Sequence, residues 1–441
     1  MKKVLTIIQT VFIIFATNCY LLLEKFNIYA LLWAIVPLFI VCMVFPALDI
    51  KDAKLPLRLR VLDNGNVLMF QFLFSGIIGA VWQVFSAFAL SLPIDKIIIN
   101  AVVFVVAESI VFWNGIIRLY CTSVQLGIKR RVLGIILAYI PVANLIMLHI
   151  IIKTTVKEFV FESEKYRLNE ERKDLRICET KYPILLVHGI FFRDSGLIDY
   201  WGRIPNELRH NGATVFYGNH ESASSIADSG IDIYYRIKAI LDKTGCDKVN
   251  IIAHSKGGLD ARYAISCCGA APYVASLTTI STPHRGCEFA DYLLNTVSEK
   301  IQKKVTDTYN SAMLNAGDSD PDFISGVTDL TAKRCAEMNE VMKDAEGVYY
   351  SSVGSVLKKA RGGRFPLNLT YHLPKKFSGD NDGLVSIDSF AWGSDFTLIT
   401  PTGKRGVSHA DMTDFTKENY DGFDVREFYV NLVKGLKEKG L

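Results

Sequence analysis

Residues 249–258 read VNIIAHSKGG, and the stretch LDARYAIS continues them to Ser266. The apolar run 249–253 is typical of a buried strand, and the residues after 258 have helical spacing. Between them, Ser255 lies at a turn that matches the pattern G-x-S-x-G, with Ala253 in place of the first glycine. Larger side chains two positions before or after the serine would clash across such a sharp turn. The stretch therefore predicts a strand, a strained turn that carries a nucleophilic serine, and a helix.

The sequence on either side of this stretch alternates between short apolar runs and helical patterns. The predicted strands are residues 182–187, 213–217, 249–253, 275–280 and 348–353. The predicted helices are residues 201–211, 231–243, 259–266 and 425–436. This alternation predicts an α/β fold with a mostly parallel sheet and helices on both faces. In such sheets the functional site lies beyond the carboxyl ends of the strands, which is where Ser255 falls.

A serine nucleophile needs a base, and in this kind of sheet the base is a histidine that follows the serine and an acid in the chain. The histidines after Ser255 are His284, His372 and His409. His284 directly follows a predicted strand and is expected to brace the loop there, whereas His372 has no turn signal beside it. His409 lies in a loop before the last predicted helix, where it can reach over the sheet. We therefore predict His409 as the base.

The acid must lie between Ser255 and His409 in the chain. Residues 379–386 form a turn cluster, GDNDGLVS, that leads into an apolar segment. Asp382 precedes a glycine and is expected to point back toward the site, and Asp380 is the alternative. The acid would hold the imidazole tautomer, and His409 would take the proton of Ser255 and return it to the leaving group.

Two backbone N–H groups are predicted to stabilise a developing oxyanion. Lys256 begins the helix after Ser255, where free N–H groups and the helix dipole favour negative charge. A second donor should come from the loop after an earlier strand, and Ile190, after the tight turn at Gly189, fits that position. His188, directly after the same strand, is expected to be a structural hydrogen-bonding group.

Five segments occur in the order that is typical of one family: His188-Gly189, AHSKG at 253–257, STPHRG at 281–286, NDGLV at 381–385, and the late His409. As a set they resemble the bacterial triacylglycerol lipases of the α/β-hydrolase superfamily. The resemblance covers residues 180–441 and does not extend to the amino-terminal part.

This resemblance implies a carboxylic ester hydrolase that forms an acyl-serine intermediate. It places the triad on Ser255, Asp382 and His409, and the oxyanion donors on Ile190 and Lys256. A phospholipase, a thioesterase and an acyltransferase share such a triad, so these activities stay open. A non-catalytic membrane sensor or binding module is a further alternative, although such proteins usually lack a triad residue.

No cofactor is required by this chemistry, but the resemblance implies one possible metal. Several of these lipases carry a structural calcium ion near the catalytic histidine, and an aspartate two residues after that histidine is a ligand. Asp411 occupies that position in this sequence. Calcium needs six or more oxygen ligands, and the others are not evident in the sequence. The alternative is that Asp411 caps the following helix.

The amino-terminal part differs sharply in composition from the rest. Residues 1–155 hold 13 Lys and Arg and 6 Asp and Glu, whereas residues 156–441 hold 36 and 39. Five apolar runs are long enough to cross a bilayer. They are residues 4–23, 26–48, 64–93, 97–117 and 132–152. The sequence therefore predicts an all-α transmembrane domain at 1–153, a charged linker at 154–180 and the α/β domain at 181–441.

The distribution of Lys and Arg predicts the orientation in the membrane. Ten basic residues lie at one set of span ends: Lys2, Lys3, Lys51, Lys54, Arg58, Arg60, Arg118, Lys129, Arg130 and Arg131. Only Lys25 and Lys96 lie at the other. With five spans this predicts a multi-pass cell-membrane protein whose amino terminus is cytoplasmic and whose α/β domain is extracytoplasmic. The vicinal Cys267 and Cys268 cannot easily pair with each other on a helix, and free thiols suit a reducing compartment, which counts against that side.

The remaining expectations concern the segment 288–341 and the partners of the protein. Residues 288–341 are long for a strand-to-helix connection and predict a helical insertion, either a lid over an acyl site or a unit with its own packing. The expected partners are a lipid or acyl-ester substrate and the membrane. The α/β part is slightly acidic and has no basic stripe, so no nucleic-acid partner is expected. Few polar groups lie in the spans, which argues against a transporter, and the oligomeric state is left open.

Overall fold

The structure is a computed structural model that describes residues 2–46, 54–90, 92–190, 199–221, 223–316, 321–400, 403–420 and 422–441. The chain divides into two compact units, Met1–Glu170 and Glu171–Leu441. The predicted boundaries at 153 and 180 lie on either side of this division.

The first unit is helical. Its helices are α1 (Lys2–Asn18), α2 (Tyr20–Phe26), α3 (Leu32–Val44), α4 (Leu57–Ala89), α5 (Ile94–Thr122), α6 (Gly127–Leu137) and α7 (Ala143–Arg172). By length and composition, α4 and α5 can each cross a membrane, and α1 with α2 could form a third span bent by 63°. These correspond to the third, fourth and first of the five predicted spans.

The other two predicted spans are interrupted. Within residues 26–46, the described part of the second predicted span, the 13-residue helix α3 follows the end of α2 and a short 3-10 helix. Residues 132–152 contain a break between α6 and α7, where Pro141 cannot continue a helix and Val142 has a φ of 67°. The number of spans and the side of the second unit stay predictions.

Helix α7 continues through the first part of the predicted linker. Thr155 and Glu158 are buried, and the Glu158 carboxylate accepts hydrogen bonds from the N–H groups of Val124 (3.0 Å) and Gln125 (3.1 Å). Arg58 forms an ion pair with it at 2.6 Å. These contacts join α4, α7 and the turn after α5, so this part of the chain belongs to the packed first unit.

The second unit contains a six-stranded sheet in the order β2-β1-β3-β4-β5-β6, and every neighbouring pair is parallel. Its strands are β1 (Ile184–Val187), β2 (Val215–Tyr217), β3 (Val249–His254), β4 (Val274–Ile280), β5 (Tyr349–Ser355) and β6 (Asp395–Ile399). The five predicted strands overlap β1 to β5. The sequence did not predict β6, because this edge strand is largely exposed and lacks a continuous apolar run.

Helices cover both faces of this sheet, as the sequence predicted. They are α8 (Ile204–His210), α9 (Ile226–Thr244), α10 (Lys256–Cys267), α11 (Glu288–Asn295), α12 (Glu299–Ala316), α13 (Phe323–Thr328), α14 (Ala332–Val341), α15 (Leu367–Thr370), α16 (His372–Phe377) and α17 (Val425–Glu438). Leu186 and Ile252 pack with α8 and α17 on one face, whereas Leu185 and Ile251 pack with α9 and α10 on the other. Neighbouring strand residues thus enter opposite cores, as the two-residue repeat of a strand requires.

The described part of the insertion predicted at 288–341 consists of the helices α11 to α14 and the short connections between them. Its apolar side chains, with Phe323 and Leu293 among them, form a buried cluster with Ile190, Leu259 and Val385. The insertion therefore packs directly beside the loop that follows β1 and the first turn of α10.

Candidate active site

Ser255 stands between β3 and α10, in the sharp turn that its sequence predicts. Its φ of 56° and ψ of −133° are unfavourable for a residue other than glycine. Its N–H donates to the Ile280 carbonyl at 2.9 Å, which fixes the turn against β4. A Cβ atom at Gly257 would lie 2.2 Å from the carbonyl oxygen of His188. Only glycine therefore lets the start of α10 come this close to the end of β1.

Asp382, His409 and Ser255 form one hydrogen-bonded chain. The Nε2 atom of His409 lies 3.0 Å from Oγ of Ser255, and its Nδ1 atom lies 2.7 Å from Oδ2 of Asp382. All three side chains are buried, and Asp382 has no solvent exposure. If Nδ1 carries the proton and donates to Asp382, then Nε2 can accept the proton of Ser255. The structure thus brings together the three residues that the sequence singled out.

The acid and the base are positioned by their own loops. The Oδ1 atom of Asp382 accepts the N–H groups of Leu384 (3.0 Å) and Val385 (2.9 Å), which leaves Oδ2 for the imidazole. The His409 N–H donates to the Asp382 carbonyl at 2.9 Å. The two loops are therefore joined by backbone as well as by side chains.

The predicted oxyanion donors flank the serine. A Cβ atom at Gly189 would lie 2.7 Å from Cβ of Ser255, so the loop after β1 runs directly against the nucleophile. Ile190 follows in this loop, and Lys256 is the first residue of α10, whose N–H has no partner within the helix. The loop after β1 and the first turn of α10 thus both lie beside Ser255.

The chain is similar in sequence to curated lipases. A triacylglycerol lipase of Pseudarthrobacter phenanthrenivorans is 33% identical over 172 residues, which are 36% of this chain and 53% of that protein. A triacylglycerol lipase of Pseudomonas fragi is 28% identical over 295 residues, which are 59% of this chain and 98% of that protein. Over part of its length, the chain is thus similar in sequence to bacterial triacylglycerol lipases. It spans about half the length of the P. phenanthrenivorans relative and of a Burkholderia plantarii triacylglycerol lipase.

No protein-family model matches the chain. The crystal structure of Staphylococcus hyicus lipase aligns with 59% of this chain and 98% of its own, at 18% identity and a TM-score of 0.48.

The residue before the serine, His254, takes part in a buried network that the sequence did not predict. The pKa of His254 is lowered well below its usual value because the ring is buried, so the ring is neutral. Its Nε2 donates to the His409 carbonyl (3.1 Å), and its Nδ1 accepts from Tyr200 Oη (2.6 Å). Tyr200 Oη in turn accepts the N–H of Gly189 at 3.0 Å. The network links the loop after β1 to the backbone of His409.

The Lys256 side chain is buried beneath the turn. Its Nζ atom lies 2.7 Å from Oδ1 of Asp260, one turn along α10, and 3.1 Å from Oγ of Ser229 on α9. Burial raises the pKa of Asp260 to about 7, and the Lys256 charge opposes this shift. The ion pair therefore fixes the first turn of α10, which carries the Lys256 N–H.

The other histidines and the alternative acid that the sequence analysis considered do not take part in the hydrogen-bonded chain of Asp382, His409 and Ser255. His284 contacts Thr279 and Arg262 and braces its loop, as predicted, and His188 contacts the His220 carbonyl at 3.2 Å. His372 begins the short helix α16. Asp380, the alternative acid, is exposed and pairs with Lys375 at 2.7 Å.

The surroundings of Asp411 do not fit a calcium ion. Its carboxylate oxygens lie 2.8 and 3.1 Å from the guanidinium nitrogens of Arg405, and one of them also accepts the Ser408 N–H at 2.8 Å. A cation is therefore already present where the metal would bind. Over the described ranges, no group of three or more His, Cys, Asp and Glu side chains could hold a metal ion. The alternative role was wrong, because Asp424 caps the next α-helix, α17.

Proposed function

We propose that the protein is a serine ester hydrolase of lipase type, with Ser255 as nucleophile, His409 as base and Asp382 as the orienting acid. The observation that carries this proposal is the continuous hydrogen-bonded chain from Asp382 through His409 to Ser255 at a strand-to-helix turn. The sequence similarity to curated triacylglycerol lipases supports an ester substrate.

In this mechanism the Ser255 hydroxyl attacks the ester carbonyl while His409 Nε2 takes its proton. The N–H groups of Ile190 and Lys256 stabilise the oxyanion that develops on the carbonyl oxygen. His409 then gives the proton to the leaving alcohol, and an acyl-serine remains. A water molecule, deprotonated by the same imidazole, attacks the acyl group and releases the acid. Asp382 stabilises the imidazolium in both steps.

Lipid esters are the proposed substrates, and the apolar first unit is proposed as a membrane anchor. Helices α4 and α5 are long and apolar enough to cross a bilayer, so they could hold the hydrolase unit at a lipid surface. We place this unit on the extracytoplasmic side, as the distribution of basic residues predicts. We propose that no metal is required, since the chemistry is supplied by the triad and by backbone donors.

The test is hydrolysis of a p-nitrophenyl ester series, from short to long acyl chains, by the full-length protein in detergent. We expect wild-type activity that increases toward long chains and disappears in Ser255→Ala. The matched control is Ser266→Ala, which removes a hydroxyl at the far end of the same helix and should leave the activity unchanged. Long-chain preference would favour a lipase, and preference for short chains would favour an esterase.

Two outcomes would overturn the proposal. One is a folded wild-type protein that hydrolyses none of the esters and does not react at Ser255 with a fluorophosphonate. The other is a Ser255→Ala protein that keeps its activity. Phospholipid and thioester substrates, measured in the same assay format, decide among the other activities that use such a triad.

A further inference from the structure

Arg405 lies four residues before His409 and contacts several groups that surround the histidine loop. Its guanidinium forms a bidentate pair with Asp411, and the second carboxylate in reach, Glu418, lies 3.8 Å away. The guanidinium carbon also lies 4.4 Å from the centre of the Tyr420 ring, a cation–π distance. Three sides of the cation are thus occupied by groups that stabilise positive charge.

The Asp411 carboxylate connects Arg405 to the loop that carries His409. Its side chain is only 2% exposed, and besides Arg405 it accepts the N–H of Ser408, the residue before His409. Removing the guanidinium would leave a buried carboxylate without a positive partner, which is costly. The Arg405–Asp411 pair therefore closes the loop 405–411 on either side of His409.

The backbone of Arg405 is fixed to the segment that also holds the acid loop. Its carbonyl accepts the Lys358 N–H at 3.1 Å, and the Val407 N–H donates to the Val356 carbonyl at 2.8 Å. Between them, the Leu357 N–H donates to the carbonyl of Asn381, the residue before Asp382, at 2.8 Å. The segment 356–358 is thus bonded both to the loop that begins at Arg405 and, through Leu357, to the residue before Asp382.

We propose that Arg405 is a positioning residue that replaces a structural metal ion. Its guanidinium supplies the positive charge that holds the loop of His409, so the loop keeps its shape without calcium. This inference rests on the proposed function, since the benefit of a fixed loop is a His409 ring in reach of Ser255. A planar, bidentate cation suits Asp411 better than a lysine ammonium would.

The test compares wild type with Arg405→Ala and Arg405→Lys in the full-length protein in detergent. Its first readout is hydrogen–deuterium exchange of the amides in 406–411, which does not depend on activity. We expect faster exchange in Arg405→Ala, partial protection in Arg405→Lys, and recovery of protection when millimolar guanidinium ion is added to Arg405→Ala. Loop exchange equal to wild type in Arg405→Ala would overturn the proposal.

The second readout is ester hydrolysis by the same three proteins. A shift of about 1 Å in His409 should lower kcat on the order of 10- to 100-fold, with KM nearly unchanged, and guanidinium ion should restore kcat. The matched control is Arg364→Gln, which removes a different arginine that pairs with Glu418 at 3.0 Å and should leave kcat and loop exchange unchanged. Full kcat in Arg405→Ala would contradict the positioning role.

A calcium chelator completes the experiment. We expect wild-type activity, loop exchange and thermal unfolding midpoint to be unchanged by EGTA. Loss of activity or loop protection in EGTA that calcium restores would overturn the inference while leaving the proposed hydrolase function intact. A wild type that neither hydrolyses esters nor reacts with fluorophosphonate would instead overturn the proposed function, and loop exchange would still decide whether Arg405 holds the loop.

Discussion

The Nε2 atom of His254 donates a hydrogen bond of 3.1 Å to the backbone carbonyl of His409. The residue directly before the proposed nucleophile therefore holds the backbone of the proposed base. Because Tyr200 fixes the other ring nitrogen of His254, the imidazole has one tautomer and one orientation. The hydrogen bonds of Tyr200 and His254 therefore form a supporting network next to the triad.

Loss of this supporting network should lower the activity although the triad residues stay in place. We expect His254→Leu to lower kcat/KM by roughly tenfold or more, since one hydrogen bond contributes about 1 kcal/mol and a buried carbonyl is left unpaired. Tyr200→Phe should have a smaller effect of the same kind. Ester hydrolysis and fluorophosphonate labelling measure both variants. Tyr217→Phe on β2 is the control, and a His254→Leu protein with wild-type kcat/KM would show that the bond to His409 is dispensable.

Asp382→Asn should inactivate the enzyme although it changes little in shape. An amide at this buried position favours the wrong imidazole tautomer, and kcat should fall by about 10⁴-fold. Asp380→Asn, two residues away, changes only an exposed ion pair with Lys375 and should keep nearly full activity. The reverse result in the same ester assay would assign the acid to Asp380.

Gly257→Ala should destabilise the second unit. The new methyl group would lie 2.2 Å from the His188 carbonyl oxygen, so the first turn of α10 would have to move away from β1. We expect a loss of roughly 1–3 kcal/mol, the usual cost of overpacking, together with a lower kcat. Gly435→Ala in α17 meets no atom within 4 Å and should be neutral or slightly stabilising. Thermal unfolding followed by circular dichroism compares them.

The Lys256–Asp260 pair should make stability depend on pH. Because burial raises the pKa of Asp260 to about 7, above its unfolded value, the stability it contributes is present below about pH 4 and is lost as pH rises through 7. We therefore expect the unfolding midpoint of wild type, relative to Lys256→Met/Asp260→Asn, to decline between pH 4 and 7. The Nε2 atom of His220 also lies 3.7 Å from Oδ2 of Asp260. A constant difference across this range would contradict the raised pKa.

In Lys256→Met alone, Asp260 loses the charge that opposes its raised pKa. The pKa of Asp260 should then rise further, and the decline in stability should extend to higher pH than in wild type, since the buried carboxylate lacks the ammonium group of Lys256. The side chain of Lys256 is changed here but its backbone N–H is not. Reduced activity in this variant would therefore report on the position of the first turn of α10.

The sequence by itself determined the features that depend on neighbours along the chain. The apolar run 249–253 and the small residues around Ser255 predict the strand, the turn and the helix. The five apolar runs of the second part predict five of the six strands of its sheet. In this kind of sheet the serine, the acid and the histidine occur in that order along the chain, so Ser255, Asp382 and His409 could be predicted from the sequence.

Tertiary structure decided which distant groups meet. Tyr200, His254 and the His409 carbonyl come from three separate segments, and no local pattern marks the bonds between them. Arg405 could not be distinguished from any other arginine until the loop folded back and placed Asp411 against it. The strand β6 lies at the edge of the sheet and is largely exposed, so its sequence carries little sign of burial. The break between α6 and α7 likewise lies inside a continuous apolar run. Apolar periodicity records the burial of each segment, whereas a hydrogen bond between segments requires a geometry that only the folded chain provides.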